Sequence, residues 1–84
     1  MTPTLVVSAQ ISIYPLRQEH INPAVDAVRR ALEDRGLQPQ VGPMSTVVTG
    51  EAAAVFAALQ EAFSRAAATG QVVMTVTVSN ACPV

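Results

Sequence analysis

Two sets of side chains in this sequence are of types that do chemistry. The first is a row at every second position, Ser8, Gln10, Ser12 and Tyr14, echoed near the C-terminus by Thr75, Thr77 and Ser79. Hydroxyls and an amide at that spacing donate and accept hydrogen bonds from one surface, which suits recognition of a neutral or mildly cationic small molecule. The second set is Cys82 and His20, the one cysteine and the one histidine. A thiol beside an imidazole makes a nucleophile with its base, but only within hydrogen-bond reach. One histidine and scattered acids have no recognisable metal-ligand spacing. The four glycines form no phosphate-cradling loop, because each falls at the end of a periodic segment.

The alternation around Gln10 is a strand signal. Val7, Ala9, Ile11 and Ile13 share one parity and the polar row shares the other, so a strand over Leu5 to Tyr14 has an apolar face and a polar one. Pro15 lacks a backbone donor and is expected to end its ladder. Asn22-Pro23 reads as a helix start, with Asn at the cap and Pro in the first turn. The helix is expected to run to about Arg35, with Ala24, Val25, Val28, Ala31 and Leu32 inward. Asp26–Arg30 and Arg30–Asp34 are spaced for ion pairs, and Gly36 for a left-handed stop. Leu37 to Val41 contains Pro39 and reads as an edge strand. After the Gly42-Pro43 turn, Met44 to Thr49 reads as a third strand. A second helix opens at Thr49-Gly50-Glu51, with Val55, Phe56, Leu59, Phe63 and Ala66 as its apolar stripe and Glu61–Arg65 as an ion pair. Gly70 ends it, Gln71 to Ser79 is a fourth strand, and Asn80 to Val84 is a tail.

The order strand-helix-strand-strand-helix-strand implies two interleaved right-handed crossovers. The expected architecture is α+β: a ferredoxin-like sandwich, with an antiparallel four-stranded sheet in the order 4-1-3-2 and both helices on one face. Parity then opposes Ser8 to Ser79, Gln10 to Thr77, Ser12 to Thr75 and Tyr14 to Val73. In this arrangement Cys82 and His20 fall at opposite ends of the sheet, and no Asp or Glu is expected on its polar face. A catalytic dyad and a carboxylate pair are both disfavoured, so the expectation is a protein that is not an enzyme.

The totals narrow the function classes. Eighty-four residues make one domain, 1–84, and a chain 50% hydrophobic and 13% charged is too apolar for disorder. So small a core is marginal, which favours self-association. Five arginines, no lysine and a formal net charge of −1 leave no basic footprint for nucleic acid. No apolar run approaches the roughly 20 residues of a membrane span, and no signal peptide is evident. One cysteine excludes an internal disulfide. A cytoplasmic location is the default expectation.

Several segments carry a resemblance. Ala9-Gln10-Ile11-Ser12-Ile13-Tyr14-Pro15-Leu16, the Val41-Gly42-Pro43-Met44-Ser45-Thr46 turn with Gly50-Glu51 after it, and Val55-Phe56 are similar to the YkoF-like thiamine/hydroxymethylpyrimidine-binding family. The resemblance spans nearly the whole chain. It implies a ferredoxin-like fold, binding of thiamine or its pyrimidine moiety without catalysis, and assembly into a homodimer or homotetramer, since only one repeat is present. An aminopyrimidine needs in-plane partners, for which Gln10, Ser12, Thr46 and Thr77 are candidates. Its flat face suits Tyr14 or Met44. Ser45 and Asn80 complete the candidate set, and Glu19 and Glu51 are the acids nearest in sequence for a thiazolium cation. The alternative is a structural or regulatory oligomer whose polar sheet face only makes subunit contacts. Gln10→Ala is expected to weaken binding by roughly 1–3 kcal/mol, and Phe63→Ala to cost about 3–5 kcal/mol of stability.

Overall fold

The computed structural model describes residues 5–16 and 22–81. The elements are β1 (Val6–Pro15), α1 (Asn22–Asp34), β2 (Gln40–Val41), β3 (Thr46–Glu51), α2 (Ala52–Ala67) and β4 (Val72–Ser79). All strand pairs are antiparallel and the sheet order is β2-β3-β1-β4, with both helices on one side. This is the ferredoxin-like arrangement expected from the alternation. The pairing of β1 with β4 also has the anticipated register, Ser8 with Ser79 through Tyr14 with Val73. It had to, because a slip of one residue would turn Val7, Ala9 and Ile11 into water.

The first strand takes in its proline and ends there, with one more backbone bond beyond it. Pro15 lies opposite Val72, and Leu16 N–H donates to the Gln71 carbonyl at 2.8 Å. That bond sets the phase of the ladder: even-numbered β1 residues bond towards β4 and odd-numbered ones towards β3. Ala52 N–H donating to the Leu5 carbonyl at 2.8 Å has the same phase on the other side. The missing donor of Pro15 therefore points towards β3, whose pairing with β1 already stops at Ile11 and Thr46. No ladder bond is lost.

Packing follows the small residues more than the large ones. The core is Val7, Ala9 and Ile11 of β1, Ala24, Val28, Ala31 and Leu32 of α1, Val48 of β3, and Val55, Ala58, Leu59, Ala62 and Ala66 of α2. Phe56 and Phe63, expected in the second stripe, are 55% and 42% exposed. Each follows a core residue by one step of about 100°, and this rotates it out of the buried sector. Alanines 58 and 62 take the centre instead, where α1 and α2 approach closely. Val25 is likewise only half-buried.

The ion pairs differ in one partner. Asp26 meets Arg30 at 3.1 Å and Glu61 meets Arg65 at 3.0 Å, as the spacing implies. Asp34 instead meets Arg65 across the helix pair at 2.7 Å, which ties the two helices along one flank. At the end of α1, Gly36 has φ +79°, its N–H donates to the Glu33 carbonyl at 2.9 Å, and Leu37 N–H reaches the Leu32 carbonyl at 3.1 Å. This is a Schellman stop. A Cβ there meets nothing within 4 Å, so Gly36→Ala is expected to cost only the left-handed backbone penalty, about 1 kcal/mol, as a lower urea midpoint with unchanged slope.

The second strand is shorter than the Leu37–Val41 stretch, because Pro39 cannot donate to a ladder. The third begins at Thr46, not Met44. Between them Gly42 N–H donates to the Ser45 carbonyl at 2.8 Å, closing a tight turn with Pro43-Met44 at its tip. Cys82, His20, Glu19 and the side chain of Asn22, which entered the dyad, thiazolium and cap readings, lie outside the described residues.

Candidate functional site

The residues singled out from sequence divide between two surfaces. Strand parity puts Gln10, Ser12 and Thr77 on the open face of the sheet and Thr46 on the helix side, opposite Ile11. Thr46 is only 5% exposed. Gln10, Ser12 and Thr46 thus cannot present one plane of hydrogen-bonding groups. Asn80 follows Ser79, opposite the start of β1, a strand's length from Tyr14. Thr77 pairs with Gln10, roughly 13 Å along the strand from Tyr14 at 3.3 Å per residue. Glu51 lies at the far end of β3 from Thr46 and puts one acid on the rim of the open face.

Four of the candidates do converge. Tyr14, Met44, Ser45 and Thr46 border a cavity of about 440 Å³ between the β2–β3 turn, the end of β1 and the start of α1. Its apolar wall comes from Ile11 and Ile13 of β1, Val25 of α1, and Val41 and Pro43. The volume is that of a small-molecule site, and a mostly apolar wall is the usual composition of one. Met44, at the tip of the turn, is 81% exposed and stands at the rim.

The open face supports this cavity from behind. Gln10 Nε2 donates to Ser45 Oγ at 3.3 Å, and Ser12 Oγ donates to the Met44 carbonyl at 3.3 Å. The polar row thus holds the turn whose other side lines the cavity. Ser8 and Thr49 hydroxyls meet at 3.0 Å farther along. Gly42 is the turn's tight point: a Cβ there would stand 3.2 Å from the Ser45 carbonyl oxygen, the acceptor of its own N–H. Gly42→Ala is expected to displace Ser45 and Met44, visible as amide shift changes confined to residues 40–47, with the Gln10–Ser45 bond weakened.

An adjoining recess of about 460 Å³ shares Val25 and Val41 and is bordered by Asp26 and Arg29. Arg29 grips Asp26 at 2.6 Å and Glu33 at 2.7 Å. The hydrogen bond from Arg29, then the charges of Arg29 and Arg30, hold the Asp26 carboxyl below its ordinary pKa, while desolvation opposes. A carboxylate with a depressed folded pKa stabilises the fold above its unfolded pKa, and that contribution is lost as pH falls through the folded value. Arg29→Gln is expected to return the Asp26 carboxyl towards the ordinary range, an upward shift read by carbon-detected NMR titration.

Ile13, Val25, Val41 and Pro43 were not among the residues expected to make a site. Ile13 offered a signal: it continues the apolar parity of β1 beyond the last β3 partner, so its side chain has Met74 of β4 on one side and no strand neighbour on the other. Among the described residues no group of three or more His, Cys, Asp or Glu could hold a metal ion, and no helix is long and apolar enough to cross a membrane.

Comparison with known proteins places the chain. No curated protein matches it. Among solved structures, a hypothetical protein from Methanocaldococcus jannascii superposes with a TM-score of 0.80 at 23% identity, covering 89% of this chain and 79% of that one. A Streptococcus pneumoniae protein superposes with a TM-score of 0.80 at 25% identity, over 88% and 84% of the two chains. A candidate thiamine biosynthesis or salvage protein from Thermotoga maritima superposes with a TM-score of 0.76 at 19% identity, over 87% and 81%. These likenesses bear on the fold. A family model described as the YKOF-related family matches residues 6–84, from the first residue of β1 to the C-terminus, and the chain belongs to that family.

Proposed function

We propose that this protein binds thiamine or its hydroxymethylpyrimidine moiety, without catalysis, as a cytoplasmic homodimer or homotetramer. The observation that carries the reading is the cavity beside the β2–β3 turn, where Ile11, Ile13, Val25 and Val41 form an apolar wall, Met44 stands at the rim and Thr46 lies on the same side of the sheet. The Met44 thioether is a good partner for the flat face of a pyrimidine, and Tyr14 borders the cavity from the end of β1. The Thr46 hydroxyl can serve as donor or acceptor for the pyrimidine's ring nitrogens or amino group. Asp26 in the adjoining recess supplies negative charge near a thiazolium, tempered by its arginines. Family membership and the thiamine-related relative in Thermotoga maritima support the same ligand class.

The test is a calorimetric titration with thiamine and, separately, hydroxymethylpyrimidine, on protein whose mass is set by light scattering. Saturable heat at micromolar ligand supports the reading, and flat titrations with both compounds overturn it. One observation favours a second reading, in which the sheet face is only a subunit interface. Val6, Val47, Val73 and Tyr14 all stand exposed on that face among neutral hydroxyls, a composition suited to being covered. Flat titrations together with a stable oligomer would favour it.

A further inference from the structure

We propose that a vacant rung of the sheet ladder at Ile13, together with the Thr46 hydroxyl, reads one edge of the ligand. The cavity then selects a flat, uncharged heteroaromatic ring that carries a nitrogen acceptor beside an amino donor. This deepens the reading above and rests on it for the place of the site, though not for the identity of the compound.

The rung follows from the phase of the ladder. Odd-numbered residues of β1 direct their N–H and C=O groups towards β3. Val7, Ala9 and Ile11 find partners there in Gly50, Val48 and Thr46. Ile13 is next and Met44 would stand opposite it, but the register ends at Ile11 and β3 begins only at Thr46. The turn draws the chain off line: Gly42 N–H closes on the Ser45 carbonyl, and the Met44 carbonyl accepts from the Ser12 hydroxyl. Among the described residues the N–H and C=O of Ile13 have no backbone partner on this side. The turn they face borders the same cavity as Ile13 itself. In an extended residue this donor and acceptor stand side by side and point the same way, which is how one rung exchanges two bonds with one partner. Such groups need a partner, and a cavity leaves room for a ligand to be it.

Thr46 adds an independent sign. It is 5% exposed and stands opposite Ile11 of β1 and Val41 of β2, so its hydroxyl lies in a row of aliphatic side chains on the helix side. Thr69 bonds the Ala66 carbonyl at 2.7 Å and Thr49 the Ser8 hydroxyl at 3.0 Å, but among the described residues the Thr46 hydroxyl has no hydrogen-bond partner. Among those residues, too, no side-chain nitrogen or oxygen is both sealed and unpaired. The Thr46 hydroxyl therefore opens on the cavity that the residue borders. It contributes nothing to the fold that a valine would not, since burying a hydroxyl without a partner costs stability.

These polar points define what fits between them. A ring nitrogen beside an amino group matches the rung: the nitrogen accepts from Ile13 N–H and the amino group donates to the Ile13 carbonyl. The Thr46 hydroxyl, one rung back, meets a further polar group of the ring as donor or acceptor. The remaining wall is mostly aliphatic, and no charged side chain borders this cavity. A fixed cation or a phosphate inside it would be desolvated without a counter-charge. The ring therefore enters by its neutral edge, and a charged extension stays at the mouth, towards the recess bordered by Asp26. A site built to hydrogen-bond one edge rejects the analogue that lacks it far more strongly than an apolar pocket rejects a change of size.

The test is calorimetry and amide NMR on the full chain with three probes, at a pH where the rings are neutral. The probes are 4-amino-2-methylpyrimidine, its 4-dimethylamino analogue, which has no N–H to donate, and toluene. The amino compound is expected to bind at least about tenfold tighter than either of the others. It is expected to shift the Ile13 amide resonance downfield and slow its exchange about tenfold or more, with the Ile11 amide unchanged. Thr46→Val is expected to weaken the amino compound about tenfold, to bind toluene at least as well as the wild type, and to unfold at or above the wild-type urea midpoint. Thr46→Ser is expected to stay within about threefold of wild-type affinity. Equal affinity for the amino and dimethylamino compounds overturns the proposal, as does an Ile13 amide that ignores the bound ring. So does a Thr46→Val protein that keeps its affinity or loses stability, and so does failure of the amino compound to bind. The ligand reading fails separately: flat titrations with thiamine and hydroxymethylpyrimidine, beside an aminopyrimidine bound at Ile13, overturn that reading and leave the rung standing. Saturable thiamine binding with no response at Ile13 does the reverse.

Discussion

Leu32→Ala is expected to lower the unfolding free energy by about 2–5 kcal/mol, and Phe63→Ala by about 1 kcal/mol or less in dilute protein. Leu32 is fully buried in α1, facing the sheet and α2, and alanine keeps the helix. Its whole cost is lost packing and the cavity left behind. A domain of this size has a total stability of roughly 4–13 kcal/mol at 0.05–0.15 kcal/mol per residue, so the variant loses a substantial share of it. Urea unfolding followed by circular dichroism reads both. Equal costs for the two variants would mean that α2 is rotated from the position described.

The contrast between these two residues marks where sequence stopped being informative. The alternation in β1 and β4 was decisive, since a strand with one apolar face has a single register that buries it. Ser8 opposite Ser79 and Tyr14 opposite Val73 follow from parity alone. The helices were less legible. In α2 almost every side chain is apolar or alanine, so the periodicity does not single out a face, and the largest residues were taken for the core. The actual centre is Ala58 and Ala62, because two helices at close range leave no room for a ring. Asp34 shows the same limit. Spacing pairs it with Arg30 on its own helix, but only the packing of α1 on α2 brings Arg65 within 2.7 Å.

The candidate site was half legible for a related reason. Tyr14, Met44, Ser45 and Thr46 were brought together by topology, as the end of β1 must lie beside the start of β3. Gln10 and Thr77 were grouped with them by residue type, and parity separates them from Thr46. The cavity wall of Ile13, Val25 and Val41 looked like ordinary core in the sequence. Each is apolar and in phase with its element, but β2 is too short and α1 begins too late to close over them.

Val41→Trp is expected to weaken binding of thiamine or hydroxymethylpyrimidine at least about tenfold, while Gln10→Ala changes it by less than about threefold. Val41 is half exposed on the short edge strand and faces Val25 across the cavity mouth. An indole there occupies the space a pyrimidine would need, and a tryptophan is compatible with a strand edge. Excluding the ligand by more than 1.4 kcal/mol is the tenfold loss. Gln10 lies on the other face and reaches the cavity only through its 3.3 Å bond to Ser45, so removing its amide loosens the turn without removing a direct partner. This replaces the roughly 1–3 kcal/mol expected when Gln10 was read as a ligand contact. Calorimetry on both variants separates the two surfaces. A large loss with Gln10→Ala and none with Val41→Trp would put the ligand on the open sheet face, where Gln10, Ser12 and Thr77 lie together, and would remove the cavity from the site.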